Sequence, residues 1–121
     1  MGSLTHIQRV LVVDDDYFAA LNLSDLLRRN GVMQVEMLAA PPLTELEDMK
    51  PAWNLVALEL MCDRELCETF AEKITQAHIP ILYVTGAEQS LLDRPVDGHW
   101  VSKPYFEHQL LAAALSACPL M

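Results

Sequence analysis

Val10-Leu11-Val12-Val13 is an unbroken apolar stretch that runs into three consecutive acids, Asp14-Asp15-Asp16. A strand with one wet face alternates apolar and polar residues. A continuous apolar run belongs to a strand covered on both faces, as in parallel sheets. The first strand therefore spans Ile7 to Val13, and the chain repeats the pattern at Leu55 to Leu60 and Ile79 to Thr85. Gln34 to Ala39 and Trp100 to Ser102 supply two shorter strands. Tyr17 to Arg29 reads as a helix with an apolar stripe through Phe18, Leu21 and Leu26, and with Arg28 and Arg29 in its last turn, where the helix dipole favours cations. Asn30-Gly31 ends it, glycine being the usual residue past a helix. A short helix follows Pro41-Pro42 through Met49 and is broken by Pro51; two longer ones cover Glu65 to Ala77 and Glu107 to Ala117. The stretch from Ala87 to Gly98 supports one helical turn at most, near Ser90-Leu91-Leu92. Five strands separated by helical segments predict an α/β fold, a parallel sheet with helices on both faces and right-handed crossovers.

Composition limits what such a domain can do. The 121 residues make one domain, residues 5–118, and an apolar content of 52% is ample for its core. Lys and Arg number 8 against 17 Asp and Glu, a net charge of -9 that disfavours nucleic acid and anionic membrane surfaces as partners. No apolar run approaches the roughly 18 residues of a membrane span. The N-terminus lacks a basic-then-apolar leader pattern. Cys62, Cys67 and Cys118 are odd in number and show no CxxC spacing, which argues against a disulfide framework or a zinc site and for a reducing, cytoplasmic setting. His6, His78, His99 and His108 are scattered and read as surface residues.

In sheets of this kind the working site lies at the carboxyl ends of the strands. The first strand ends in Asp14, Asp15 and Asp16, the third carries Glu59, the fourth ends at Thr85 and the fifth at Lys103 before Pro104. Clustered carboxylates need a cation or protons to coexist. Oxygen-rich sites suit Mg²⁺, and a lysine beside a hydroxyl suits a phosphoryl group. The residues alone thus outline a Mg²⁺-assisted phosphoryl site. Plainer readings stand beside it. Asp16 reads as a helix cap. Glu59, a charge inside the apolar run Leu55 to Leu60, is either a reactive carboxylate or half of an ion pair with Lys103.

Nearly the whole chain resembles a response-regulator receiver domain of two-component signalling. The segments that carry the resemblance are Val10 to Asp16, Asn54 to Leu60, Ile79 to Gly86 and Trp100 to Tyr105. It implies a doubly wound, flavodoxin-like (β/α)5 fold with strand order 2-1-3-4-5. It implies that Asp14, Asp15 and the phosphoacceptor position Glu59 line the acidic pocket that holds Mg²⁺, with the backbone carbonyl of Met61 as a further ligand. Thr85 and Lys103 would contact a phosphoryl group or, in its absence, Glu59. The Lys103-Pro104 bond would be cis. Trp100 falls at the aromatic switch position; the competing reading is an edge-strand aromatic covering the sheet.

The sequence departs from that pattern at three places. Glu59 stands where receivers have Asp. Its extra methylene carries the carboxylate about 1.5 Å further out, and a misplacement near 1 Å costs roughly a hundredfold in rate. Glu59 should therefore stay unphosphorylated, reach Thr85 and Lys103 directly, and hold the domain in one state. The loop Cys62-Asp63-Arg64-Glu65-Leu66-Cys67 lacks the Met-Pro and Gly of receivers, which weakens the case for Met61 as a ligand. The short span from Thr85 to Lys103 implies a shortened or missing fourth helix, as in an atypical group of single-domain bacterial receivers.

The leading expectation is a non-enzymatic, stand-alone pseudo-receiver in phosphorelay signal transduction that works by docking a protein. The partner would be a sensor histidine kinase, a phosphotransfer protein or a downstream target, and a homodimer is a further candidate. Such docking calls for an exposed apolar patch near Trp100 and Tyr105, and the first helix or the fifth strand and last helix would carry the output. Two alternatives remain: a Mg²⁺-dependent receiver phosphorylated on an acid and dephosphorylating itself, and a regulatory fragment of a DNA-binding regulator or hybrid kinase. Weak Mg²⁺ binding is expected if Glu59 pairs with Lys103.

Overall fold

A computed structural model describes residues 3–42, 53–60, 63–86 and 99–120. Among them are five strands, β1 (Arg9–Val13), β2 (Gln34–Leu38), β3 (Leu55–Leu58), β4 (Ile81–Thr85) and β5 (His99–Ser102), and three helices, α1 (Tyr17–Arg29), α2 (Arg64–Gln76) and α3 (Glu107–Ala117). The strands form one sheet in the order β2-β1-β3-β4-β5, every pair parallel. The helix expected through Met49, the residues Met61 and Cys62, and the stretch from Ala87 to Gly98 with its shortened or missing fourth helix lie outside the described residues.

The apolar runs build a two-sided core. Successive residues of a strand point to opposite faces, so Val10 and Val12 join one cluster and Leu11 and Val13 the other. The first cluster gathers Leu23, Leu26 and Leu27 of α1 with Leu110 and Ala114 of α3. The second gathers Cys67, Phe70, Ala71 and Ile74 of α2. Every residue of β3 and β4 is buried, whereas the edge strands β2 and β5 expose part of theirs. Continuous apolar runs and interior strands coincide, and the helices therefore cover both faces of the sheet.

Local signals set the helix ends. The Asp16 carboxylate caps α1 by accepting from Phe18 N and Ala19 N at 3.0 and 3.2 Å, and Asp63 caps α2 through Leu66 N at 3.1 Å. Past α1, Gly31 N donates to Arg28 O at 3.0 Å and Val32 N to Leu27 O at 3.1 Å. That paired closure requires a left-handed residue, and Gly31 supplies it with φ of 110°. The same closure follows α2, with His78 N to Thr75 O and Ile79 N to Ile74 O at 3.0 and 3.1 Å, and His78 takes the left-handed position at φ 62°.

Three local expectations need correction. Phe18 does not belong to the buried stripe of α1; it is 74% exposed, while Ala20, Leu23, Ser24, Leu26 and Leu27 face the core. At ~100° per residue Phe18 stands on the side of the helix opposite Leu27. Ile79 does not open β4, because its N–H is spent closing α2, and the strand begins at Ile81. Ile7 precedes β1, since Ile7 N closes a turn onto Leu4 O at 2.9 Å; Leu4 and Ile7 are still buried in the core.

Candidate functional site

The sheet brings Asp14, Glu59, Thr85 and Lys103 to one rim. Asp14 and Glu59 are the residues immediately after β1 and the described end of β3, and Glu59 N donates to Val13 O at 2.9 Å, which ties the two strand ends together. Thr85 is the last residue of β4, and Lys103 N donates to Thr85 O at 2.9 Å, extending the β4–β5 pairing by one bond. The Lys103-Pro104 peptide is cis.

The side chains satisfy one another. Glu59 Oε2 accepts a hydrogen bond from the Thr85 hydroxyl, and Glu59 Oε1 accepts from Lys103 Nζ at 3.0 Å and from Gly86 N at 3.4 Å. Lys103 Nζ also donates to Asp14 Oδ2 at 2.5 Å, and Asp14 Oδ1 accepts from Asp16 N at 2.9 Å. Thr85 is fully buried, Glu59 is 7% exposed and Asp14 8%, so none of these groups relies on bulk water. Burial by itself pulls the Lys103 pKa down, but its hydrogen bonds to Asp14 and Glu59 outweigh that and raise it above the ordinary lysine value. The result is a lysine ammonium clamped between two nearly buried carboxylates, with a hydroxyl and a backbone N–H closing the far side of one of them.

Not every residue the sequence singled out joins this cluster. Asp15 is exposed, Asp16 serves as the α1 cap, and Met61 lies outside the described residues. Trp100 sits half-buried on the edge strand β5, its ring 5.7 Å from that of Tyr83 and tilted by 36°. That position covers the sheet on the α2 side. Tyr105 is also half-buried and packs on the α1–α3 core. Neither ring is itself exposed, but Phe106, the residue after Tyr105, is. The exposed aromatics among the described residues are Tyr17 at 62%, Phe18 at 74% and Phe106 at 71%, with Tyr17 and Phe18 in edge-to-face contact at 5.8 Å. A cleft of ≈ 650 Å³ opens beside the cluster, lined on one side by Leu23, Asp25 and Arg29 of α1 and on the other by Lys103 and Tyr105.

Two contacts had no place in the sequence reading: Lys103 with Asp14, and Gly86 N–H with Glu59. The Thr85-Gly86 pair was the available signal for the second, since a strand that stops at Thr85 turns its next N–H toward the rim.

The described residues do not fit a divalent cation as they stand. Both oxygens of Asp14 and both of Glu59 are engaged by donors, and the bridging position between the two carboxylates is filled by Lys103 Nζ. Among the described residues no group of three or more His, Cys, Asp or Glu side chains could hold a metal ion.

No protein-family model and no curated protein matches the chain. Solved structures do. It is similar to the N-terminal domain of a response regulator/sensory box/GGDEF protein from Carboxydothermus hydrogenoformans, with a TM-score of 0.77 and 20% identity over 91% of this chain and 93% of that one. It is also similar to chemotaxis protein CheY4 of Vibrio cholerae, with a TM-score of 0.72 and 19% identity over 92% and 98%. A CheX–CheY–BeF3–Mg²⁺ complex from Borrelia burgdorferi matches with a TM-score of 0.75 and 16% identity over 90% and 87%. The chain has the receiver fold. Its strand order, helices on both faces and parallel sheet are those of the flavodoxin-like arrangement. Among the described residues, no helix is long and apolar enough to cross a membrane.

Proposed function

We propose that this chain is a receiver-type signalling module of two-component pathways that works without being phosphorylated, with Glu59 as the permanent occupant of the phosphoryl site. The carrying observation is that one carboxylate receives the Thr85 hydroxyl, the Gly86 N–H and the Lys103 ammonium together. Those are a hydroxyl, a backbone donor and a cation directed at anionic oxygens, the equipment that binds a phosphoryl group. Attack on a phosphoryl donor needs a free carboxylate oxygen aligned with the phosphorus. Neither oxygen of Glu59 is free, and the longer arm of Glu places them on the donors themselves. A carboxylate has one charge and two oxygens where a phosphoryl group has nearly two charges and three oxygens, so the mimicry is partial.

The module performs no catalysis in this reading and acts by docking a protein, in a cytoplasmic setting. A net charge of -9 and the receiver fold favour a histidine kinase, a phosphotransfer protein or a downstream target over nucleic acid. The CheX–CheY neighbour is itself a complex of a receiver with a protein. The exposed Tyr17–Phe18 pair at the start of α1 supplies the apolar contact such docking needs.

The test is intact mass after exposure to a small acyl phosphate with Mg²⁺, with Glu59→Asp run alongside. The proposal expects no adduct on this chain and a labile adduct on the variant. An adduct on the unaltered chain would sink it.

A further inference from the structure

The rim needs a cation, and the sequence supplies one. We propose that the Lys103 ammonium occupies the place of a divalent metal in this pocket, so that the charge of its two carboxylates is partly offset from within and the domain is indifferent to Mg²⁺. This extends the reading of Glu59 as resident anion to a resident cation, and it rests on that reading only for the position of the Glu59 carboxylate.

Two carboxylates that approach one another out of water need a cation between them or a proton on one of them. Here Lys103 Nζ lies 2.5 Å from Asp14 Oδ2 and 3.0 Å from Glu59 Oε1, the bridging position a metal ion would take. The other oxygens are committed, Asp14 Oδ1 to Asp16 N and Glu59 Oε2 to the Thr85 hydroxyl. Asp15, the next acid in sequence, is exposed. Mg²⁺ demands six oxygens in near-octahedral array and sheds its water reluctantly. To enter, it would have to break two charge-assisted hydrogen bonds and leave an ammonium facing a dication. The Lys103 backbone is fixed to Thr85 O, which sets the strand end from which its side chain reaches the two carboxylates.

The experiment is thermal unfolding with and without about 10 mM MgCl₂, at ionic strength matched by KCl, for the full chain and for Lys103→Met. The unaltered chain should move by no more than about 1 °C. Lys103→Met leaves Asp14 and Glu59 without their cation and should melt about 5–10 °C higher with Mg²⁺ than without, the shift that metal at roughly a hundred times its dissociation constant produces. A clear Mg²⁺-dependent rise in the unaltered chain would overturn the proposal, because metal would then displace the lysine. A variant as indifferent to Mg²⁺ as the parent would overturn it too, because Lys103 would not be standing in a cation's place. Where Lys103→Met does not fold, Lys103→Gln carries the same comparison. The two proposals can fail separately. An acyl-phosphate adduct on a chain whose melting ignores Mg²⁺ removes the reading of Glu59 and leaves this one; a Mg²⁺-raised melting temperature without an adduct does the reverse.

Discussion

Asp14 and Asp15 are neighbours in sequence with opposite fates. Asp14 is 8% exposed and bound to Lys103, whereas Asp15 faces solvent beside the exposed pair Tyr17 and Phe18. The first region is a bonded cluster beside an open cleft, in which every carboxylate oxygen has a donor. The second, a few residues on, is an open rim of acid and aromatic side chains. The pleat of β1 and the first turn of α1 separate them. In the proposed reading the contrast divides the work: the bonded cluster would fix the state of the domain, and the open rim would be what a partner touches.

Breaking the bonded cluster should cost the most. Lys103→Met strands two nearly buried carboxylates, and urea unfolding should show a loss of about 3–5 kcal/mol. If the loss is that of a surface pair, below about 1 kcal/mol, the cluster is not the closed unit described here. Thr85→Val leaves Glu59 Oε2 without its hydroxyl donor and should cost about 1–3 kcal/mol in the same assay. Asp16→Ala sits on the border between the regions; it removes the α1 cap and should cost about 1 kcal/mol. On the open side, Asp15→Asn and Phe18→Ser should change stability by no more than about 0.5 kcal/mol, while Phe18→Ser should weaken capture of a cognate partner. A large loss of stability from Phe18→Ser would contradict its exposure.

The pH dependence separates the regions as well. A lysine whose pKa is raised by folding stabilises fully below its unfolded value of 10.5 and loses that contribution as pH climbs through the higher folded value. Melting temperature should therefore fall in the parent as pH rises from about 10.5 to the higher folded value, and this part of the fall should vanish in Lys103→Met. At the remote end of α1, Glu107 is held below the usual carboxylate range, first by its hydrogen bond from Arg29 and then by that from Asn30. Its contribution is present above the ordinary carboxylate value and is lost as pH falls through the lowered one. Because the pair is exposed, salt should erase it.

The fold was legible wherever burial left a periodic trace. The apolar runs of β1, β3 and β4 announce strands covered on both faces, and Gly31 announces the end of α1. Legibility failed where one residue served two elements. Ile79 belongs to an apolar run by composition but closes α2 by hydrogen bonding, and Phe18 lies near a stripe that rotates away from it. At the site, strand ends placed Asp14, Glu59, Thr85 and Lys103 on one rim, and the length of Glu implied its reach to Thr85 and Lys103. The sharing of Lys103 with Asp14 and the Gly86 contact were not legible, because they depend on side-chain and turn geometry that no spacing rule encodes.

The central claim is that Glu59 and Lys103 act as one ion-paired unit. A double-mutant cycle on urea unfolding tests it most directly, with Glu59→Gln, Lys103→Met and the pair. The account predicts that the double variant is more stable than the two single losses imply, by about 1–3 kcal/mol. Losses that simply add would mean that the two groups do not act together, and would contradict it.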